Sequence, residues 1–584
     1  MRPSTSFVRR PSAGNWLLLL LLLAAPAIVQ AQFSYTTNND GTLNLAQYSG
    51  SAGSVVIPNT TNGLPVTSIG SVAFFENRSL TNLTIGTNVA TIGGQAFSYS
   101  SLAAVTIPPS VTNIAFGAFF NCNDLLAFTV NSNNPVYASA AGVLFNQSQT
   151  NLIEFPAGKA GSYAVPTNVT SIGVDAFFDC TNLTSIVIPA SVASIGDYAF
   201  DSCSSLTVIT VNANNSAYAS VAGVLFNQSQ TTLIQYPAGS AATSYAMPNS
   251  VTNIGNDAFY GSASLAHVTL GTNVTTVSAA AFENCHALVS VTFPGSVALV
   301  EEDAFAECAS LTNVIIGAGV TNIQPQAFLG CTSLMAITVA SNNPAFSSVA
   351  GVLFNQNQTT LFQYPAGSSG TSYAIPNSVT RIGEDAFLGS YNLTRIAIDT
   401  NVLSIADEAF LECFNLASIT LPNSVTNLGF SIFFECYSLT NVTIGTGVTS
   451  LGFQVFSYCD GLTAIQFLGN APAVGSDVFD NDNAATIYYL PGTTGWTTPF
   501  DGLPAAPWLP QVQTGPGSFG VYPNGFGFTI SWAAGQTVIV QASTNLVQPG
   551  WSPVGTNILA GFSSPFRDPE WTNHPRRFYR LSSP

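Results

Sequence analysis

Leu183-Thr184-Ser185-Ile186-Val187-Ile188-Pro189, followed by Val192, Ile195-Gly196, Ala199-Phe200 and Cys203, is one copy of the pattern on which most of the chain is built. The L-x-x-I-x-I spacing suits a short strand with alternate side chains turned inward, and Pro189 and Gly196 mark corners. The same pattern returns along the chain. Its marker phenylalanines are Phe74, Phe97, Phe119, Phe177, Phe200, Phe259, Phe282, Phe305, Phe328, Phe387, Phe410, Phe433, Phe456 and Phe479. Most intervals are 23 residues (Phe456 minus Phe433, for example), one is 22 (119 − 97), and three are 58 or 59 (177 − 119, 259 − 200, 387 − 328). A fixed period of this size is the signature of a solenoid. Each coil offers an apolar set it cannot bury alone, so neighbouring coils must cover one another.

Composition leads to the same place. The chain has 584 residues, 47% hydrophobic and 7% charged. It is too apolar for disorder and too long for one compact core. The three long intervals share a 36-residue insertion, seen as Gly142-Val143-Leu144-Phe145-Asn146-Gln147, Gly223 to Gln228 and Gly351 to Gln356. Each is followed by an apolar strand and a Pro-Ala-Gly turn, at Pro156, Pro237 and Pro365, which predicts a β-hairpin cassette rejoining the solenoid. The ends of a solenoid need protection. Phe33–Thr37, an Asp40-Gly41 turn and Leu43–Tyr48 predict a capping hairpin, and Ile487 through Trp508 breaks the repeat with aromatics and prolines.

The units Ile188-Pro189-x-Ser191-Val192-x-Ser194-Ile195-Gly196-x-x-Ala199-Phe200-x-x-Cys203-x-x-Leu206 resemble the BspA-like, or Treponema-type, leucine-rich repeat, and Ile57-Pro58 to Ile69-Gly70 resembles its usual opening. The resemblance covers roughly residues 33–509. It implies a mainly β, right-handed superhelix of about 14 coils with three cassettes, and, in some members, adhesion to extracellular proteins. The tail differs. Phe526–Trp532, Thr537–Ala542 and Arg577–Leu581 predict strands of a small β-sandwich, and the closing Arg577-Phe578-Tyr579-Arg580-Leu581 resembles a module recurring on exported bacterial proteins.

The expected organisation is therefore a leader at 1–31, a solenoid with caps at 32–510 and a sandwich at 511–584. The leader carries Arg2, Arg9 and Arg10, an apolar run from Trp16 to Ala25, and Val29 and Ala31 ahead of the cleavage point at Gln32. A secreted or cell-surface location follows, and no later run offers the eighteen apolar residues of a membrane helix. Without the leader arginines the balance is 8 basic against 28 acidic residues, or −20, from 11 and 28 in the whole chain. Residues 32–510 hold four basic residues (Arg78, Lys159, Arg381, Arg395) and 511–584 hold four more. Nucleic acid is excluded as a partner, because phosphate binding needs clustered Lys and Arg.

No catalytic motif is present. The histidines are His267, His286 and His574, the single lysine is Lys159, and there is no nucleophile elbow, zinc helix or phosphate loop. A non-enzymatic protein without cofactor or metal is expected, although an acid/base carboxylate pair leaves no linear trace. All nine cysteines stand three residues after a marker phenylalanine, a slot that Ser262 and Ser390 occupy elsewhere. This fits small buried thiols, with bridging between adjacent coils such as Cys285 and Cys308 as the alternative. Acids gather about the Ala-Phe segment (Asp175, Asp179, Asp197, Asp201, Asp257, Glu283, Asp303, Glu307, Glu384, Asp385, Asp407, Glu408 and Glu412), and stacking would line them into an acidic ridge, either solvated or bridged by calcium.

The outward residue of the strand is threonine in nine coils: Thr84, Thr106, Thr129, Thr210, Thr269, Thr292, Thr338, Thr420 and Thr443. Threonine suits an exposed pleated strand. The row also makes a flat, hydroxyl-lined face for a protein or glycan, and it is the candidate ligand-binding face. A structural spacer that displays the tail module is the other reading from a different class.

Overall fold

The computed structural model describes residues 32–482 and 484–583, so the expected leader lies outside the described residues. The chain forms two compact units. One runs to Leu265 and includes Val277–His286, and the other comprises Ala266–Thr276 and Ala287–Pro584. Both are stacks of short coils, almost wholly β. The one helical element among the described residues is a 3-10 turn at Trp571–Asn573.

Each coil contributes three parallel contacts to the next. In the first unit Leu183–Ile188 pairs with Val208–Val211, placing Ile186 opposite Ile209, and the shorter Ser194–Ile195 pairs with Ser171–Ile172. The third contact is the Ala-Phe turn itself. Asp175, Phe177 and Asp179 N–H groups donate to the carbonyls of Asp197, Ala199 and Asp201 at 2.9–3.1 Å. Strand alternation buries Leu183, Ile186 and Ile188 completely while Thr184 and Val187 face out.

The marker phenylalanines stack in columns. In the second unit, ring centroids are 5.3 Å apart for Phe410 and Phe433, 5.4 Å for Phe433 and Phe456, and 5.8 Å for Phe456 and Phe479, with planes within 6°. Phe410, Phe433 and Phe456 are fully buried. Fully burying one such ring contributes about 1.5–3 kcal/mol, and both faces of the ring are covered only because a coil lies above and below.

Two residues of each coil, at −2 and +2 from the phenylalanine, sit in the left-handed region. Asp175 and Asp179 have φ of 53° and 54°, Tyr198 and Ser202 58°, and Glu408 and Glu412 56° and 55°. L-residues adopt this conformation at a cost of roughly 1–2 kcal/mol each. The three-way pairing of the coils holds them there.

The cassettes supply more than a hairpin. Tyr137–Ala140 and Val143–Asn146 pair antiparallel, then Asn151–Glu154 pairs antiparallel with the second strand and parallel with Ser171–Ile172. Phe155 next takes the marker position, 5.1 Å from Phe177, with its N–H donating to Ala176 O. Tyr236 and Tyr364 do the same beside Phe259 and Phe387, at 5.0 and 5.4 Å. A 58-residue interval thus divides into 36 (155 − 119) and 22 (177 − 155). Each cassette thus adds an aromatic-marked turn that the Ala-Phe doublets alone do not indicate. The Pro-Ala-Gly turn is explained by close approach, since a Cβ on Gly158 would lie 2.6 Å from Asn123 O and one on Gly367 2.3 Å from Ser333 C.

At the front, Phe33–Thr37 pairs antiparallel with Leu43–Tyr48, which starts the parallel ladder against Leu64–Ile69. Phe33, Tyr48 and Phe74 begin the aromatic column at 5.0 and 5.1 Å. At the back, Thr486–Tyr489 and Ala505–Pro507 extend the long-strand ladder.

Two antiparallel sheets follow. One joins Gln511–Gln513, Gly525–Ser531, Phe519–Tyr522 and Ser563–Asp568, and the other joins Ser552–Ile558, Thr537–Ser543 and Phe578–Ser582. Phe528, Ile530, Val538, Val540 and Phe566 pack between them with Leu490 of the last coils. The basic residues of the tail serve this packing. Arg577 lies 3.0 Å from the buried Asp568, which also accepts from Tyr579 Oη at 2.8 Å, and the Arg567 and Arg580 guanidinium groups cover the rings of Tyr522 and Trp551.

Candidate binding face

The long strands of successive coils align their outward residues in register. Thr106 stands opposite Thr129, Val187 opposite Thr210, Ile315 opposite Thr338, and Thr420 opposite Thr443. Thr84, Thr106, Thr129 and Thr210 in the first unit are exposed, as are Thr269, Thr292, Thr338 and Thr420 in the second. Thr443 is different. It is 5% exposed, and its Oγ1 donates to Gln466 Oε1 at 2.9 Å. The strands that follow Pro507 come over this end of the face, a tertiary arrangement that no repeat pattern announces.

The row is also segmented. At each cassette the long strand meets hairpin backbone instead of another strand: Phe128, Ile209 and Ile337 N–H groups donate to Gly142, Gly223 and Gly351 carbonyls at 2.8–2.9 Å. Separate ladders result, each a few strands wide.

The acids divide: Asp197, Glu307 and Glu384 are exposed, as on a solvated ridge, whereas four others are covered. Asp175, Asp201, Asp257 and Asp385 are all buried. Burial pushes Asp201 up to about 8, helped by the charges of Asp257, Asp175 and Glu283, and leaves Oδ1 without a hydrogen-bond partner. Asp257 and Asp385 rise to about 7 for the same reasons, Glu283 and Glu408 being their strongest charged neighbours. The cause lies in the turn. For Asp175, Asp257 and Asp385 the −2 position demands φ > 0, which a short Asp side chain tolerates better than most, and the neighbouring coil then covers it; Asp201 stands one residue after Phe200 instead. Among the described residues no group of three His, Cys, Asp or Glu side chains is placed to hold a metal ion. His267 and His286 are exposed and lie in different coils.

All nine cysteines are buried and unbridged. Their thiols hydrogen-bond to the previous coil: Cys203 Sγ donates to Phe177 O at 3.1 Å, Cys413 to Phe387 O at 3.2 Å and Cys459 to Phe433 O at 3.0 Å. Burial raises Cys122 and Cys413 to about 12, so thiolate chemistry is suppressed. In a thiol titration the folded chain is expected to show essentially no reactive thiol, and all nine after denaturation without reductant. One bridge would leave seven (9 − 2), and rapid labelling of the native chain would contradict the burial.

Sequence reasoning places Gln466 in the outward row but does not single out Arg395, Tyr488, Gln511, Gln513 and Phe562 as site residues, and all of these meet where the tail strands overlie the end of the face. Gln466 and Tyr488 follow Thr443 at the repeat spacing, whereas Gln511, Gln513 and Phe562 come from the tail, which no linear spacing ties to the coils.

No curated protein matches the chain significantly. Among solved structures, a leucine-rich repeat protein from Eubacterium ventriosum is similar at 20% identity, covering 69% of this chain and 92% of its own, with a TM-score of 0.40. A leucine-rich cell surface protein from Faecalibacterium prausnitzii is similar at 23% identity over 75% of this chain and 94% of its own, with a TM-score of 0.34. A leucine-rich repeat protein from Bacteroides ovatus shows 21% identity over 79% and 98%, at 0.29. The model for the BspA type leucine-rich repeat region matches in six copies, over residues 47–164, 155–239, 236–360 and 358–486. With three ladders per coil and that match across most of its length, the chain belongs to the BspA-type leucine-rich repeat family.

Proposed function

We propose that this protein is a secreted or cell-surface binding protein that presents the strand face of its coils to an extracellular protein or glycan, without catalysing a reaction. Proteins of its family are often surface-associated in bacteria, and among the described residues no helix is long and apolar enough to cross a membrane. The observation that carries the reading is the register of exposed threonines on parallel strands, eight in all and free of bulky neighbours at the paired positions Thr106 and Thr129. Hydroxyl and methyl groups at strand spacing offer many weak contacts, which add up through avidity over the strands of each ladder.

The test is retention of the secreted chain, residues 32–584, on extracellular macromolecules. Replacement of row residues by lysine, Thr210→Lys in the first unit and Thr292→Lys in the second, is expected to weaken binding stepwise, on the order of tenfold for the pair. Both side chains are exposed, so melting should not change by more than about 0.5 kcal/mol. A chain that engages no protein or glycan, or one whose binding ignores both substitutions, would falsify the proposal.

A further inference from the structure

We infer that the cleft under the tail strands of the second unit is a glycan-binding site, taking a short run of a polysaccharide chain. The inference deepens the strand-face reading and rests on it in one respect, that the ligand is met on this side of the coils. The cleft measures about 460 Å³, within the range of about 300–1,000 Å³ typical of ligand sites. Thr420, Asn441, Gln466 and Tyr488 come from the coils, and Gln511, Gln513 and Phe562 from the tail sheet.

The chemistry of the lining selects the ligand. Side-chain amides and hydroxyls predominate, and there is no carboxylate, in a chain that carries 28 acids against 11 bases. Amides both donate and accept, as a sugar hydroxyl does. One has capacity to spare. Gln466 uses its Oε1 on Thr443, at 2.9 Å, leaving its amide N–H groups for a ligand. Asn441 lines the cleft beside it, and its Oδ1 is turned away from solvent.

Rings complete the set. Tyr488 and Trp508 are half-buried, Phe562 is 49% exposed, and all three border the cleft. Trp508 is held by its own backbone, since its N–H donates to Tyr489 O at 2.7 Å and its carbonyl accepts from Trp532 Nε1 at 2.7 Å. Flat rings beside amide groups match the two surfaces of a pyranose, the apolar C–H face and the equatorial hydroxyl edge. Arg395 adds a single positive charge at the border, with no ion pair among the described residues. A uronic acid in the chain would gain a charge-assisted hydrogen bond there. A peptide would instead use the main chain of the Gln511–Gln513 strand, which pairs on one side with Gly525–Ser531, and would make little use of the amide side chains.

The experiment uses residues 32–584 on an array of neutral gluco-, manno- and xylo-oligosaccharides, uronic-acid oligosaccharides, and an extended-peptide library. At least one oligosaccharide series is expected to be retained. Gln513→Ala with Phe562→Ala, two exposed side chains, should reduce that affinity at least about tenfold without altering the melting temperature, and Tyr488→Ala should lower the affinity as well. Arg395→Ala should weaken only the uronic series. Retention of no oligosaccharide, retention unchanged in the cleft variants, or capture of peptides in place of glycans would overturn the inference. The two readings separate cleanly. Loss in Thr210→Lys and Thr292→Lys with cleft variants intact leaves the extended face and removes the cleft, whereas the reverse pattern leaves the cleft and removes the extended face.

Discussion

Phe433→Ala is expected to destabilise the second unit by about 3–5 kcal/mol, the range for removing a large buried ring. The ring is fully buried and stacked on both faces, by Phe410 at 5.3 Å and Phe456 at 5.4 Å. Its removal takes away the hydrophobic transfer energy and opens a void that the paired backbones of three coils keep from collapsing. Glu408, Phe410 and Glu412 N–H groups remain tied to Phe430, Ile432 and Phe434 carbonyls, so the coil cannot shrink around the gap. Because a repeat stack is nearly a sum of nearest-neighbour terms, the loss should concentrate on adjacent coils. Urea denaturation should show a lowered midpoint, and amide exchange should accelerate around residues 410–456 more than in the first unit. Phe430→Ala is the control. That ring is 42% exposed and its truncation should cost no more than about 0.5 kcal/mol. Equal effects of the two substitutions would contradict the stacked-column account.

The second large effect is on pH. Asp201 is raised to about 8, Asp257, Asp385 and Asp482 to about 7, and Asp175 to about 6, from about 3.9 in an unfolded chain. Burial is the first cause in every case. A carboxyl whose pKa is higher when folded binds its proton more tightly in the folded state, so stability falls as pH rises wherever the folded chain holds more protons. The contribution is complete below about pH 4, declines as pH rises, and is gone once pH passes the folded values of about 6–8. Melting temperature is therefore expected to be higher at pH 5.5 than at pH 8.5. One pKa unit between states is about 1.4 kcal/mol, so a few such groups suffice for a difference of roughly 5–10 °C. Asp201→Asn and Asp385→Asn, alone and together, should flatten the profile and raise the melting temperature at pH 8.5. A chain that melts earlier at pH 5.5 than at pH 8.5 would reverse the sign and refute the burial argument.

Much of the fold is legible because a stack of identical units writes one local pattern many times. Leu183, Ile186 and Ile188 announce an inward strand face, and Cys203 shares a slot with Ser262, which marks a small buried site. The hidden parts are those where one residue type stands in for another or where packing comes from far along the chain. Tyr236 and Tyr364 escape an Ala-Phe search although they sit in the same aromatic column. Their hydroxyls reach Ser240 and Ser368 at 3.2 and 3.1 Å, which lets a polar ring tip occupy a core position. Asp201 and Asp385 read as surface acids because acids usually are. Only the coil-to-coil pairing of their turns shows that they are covered. Thr443 looks the same as Thr420 in sequence, and it differs in that Gln466 of the next coil takes its hydroxyl. The cleft beside it combines Arg395 with Phe562, 167 residues apart (562 − 395).

The repetition of one contact between successive coils has a consequence for inheritance. Each coil presents to its follower what its predecessor presents to it, so loss or duplication of a whole unit by unequal recombination recreates an interface of the existing kind. Alleles of different length should then differ most often in steps near 69 nucleotides, three for each of 23 residues.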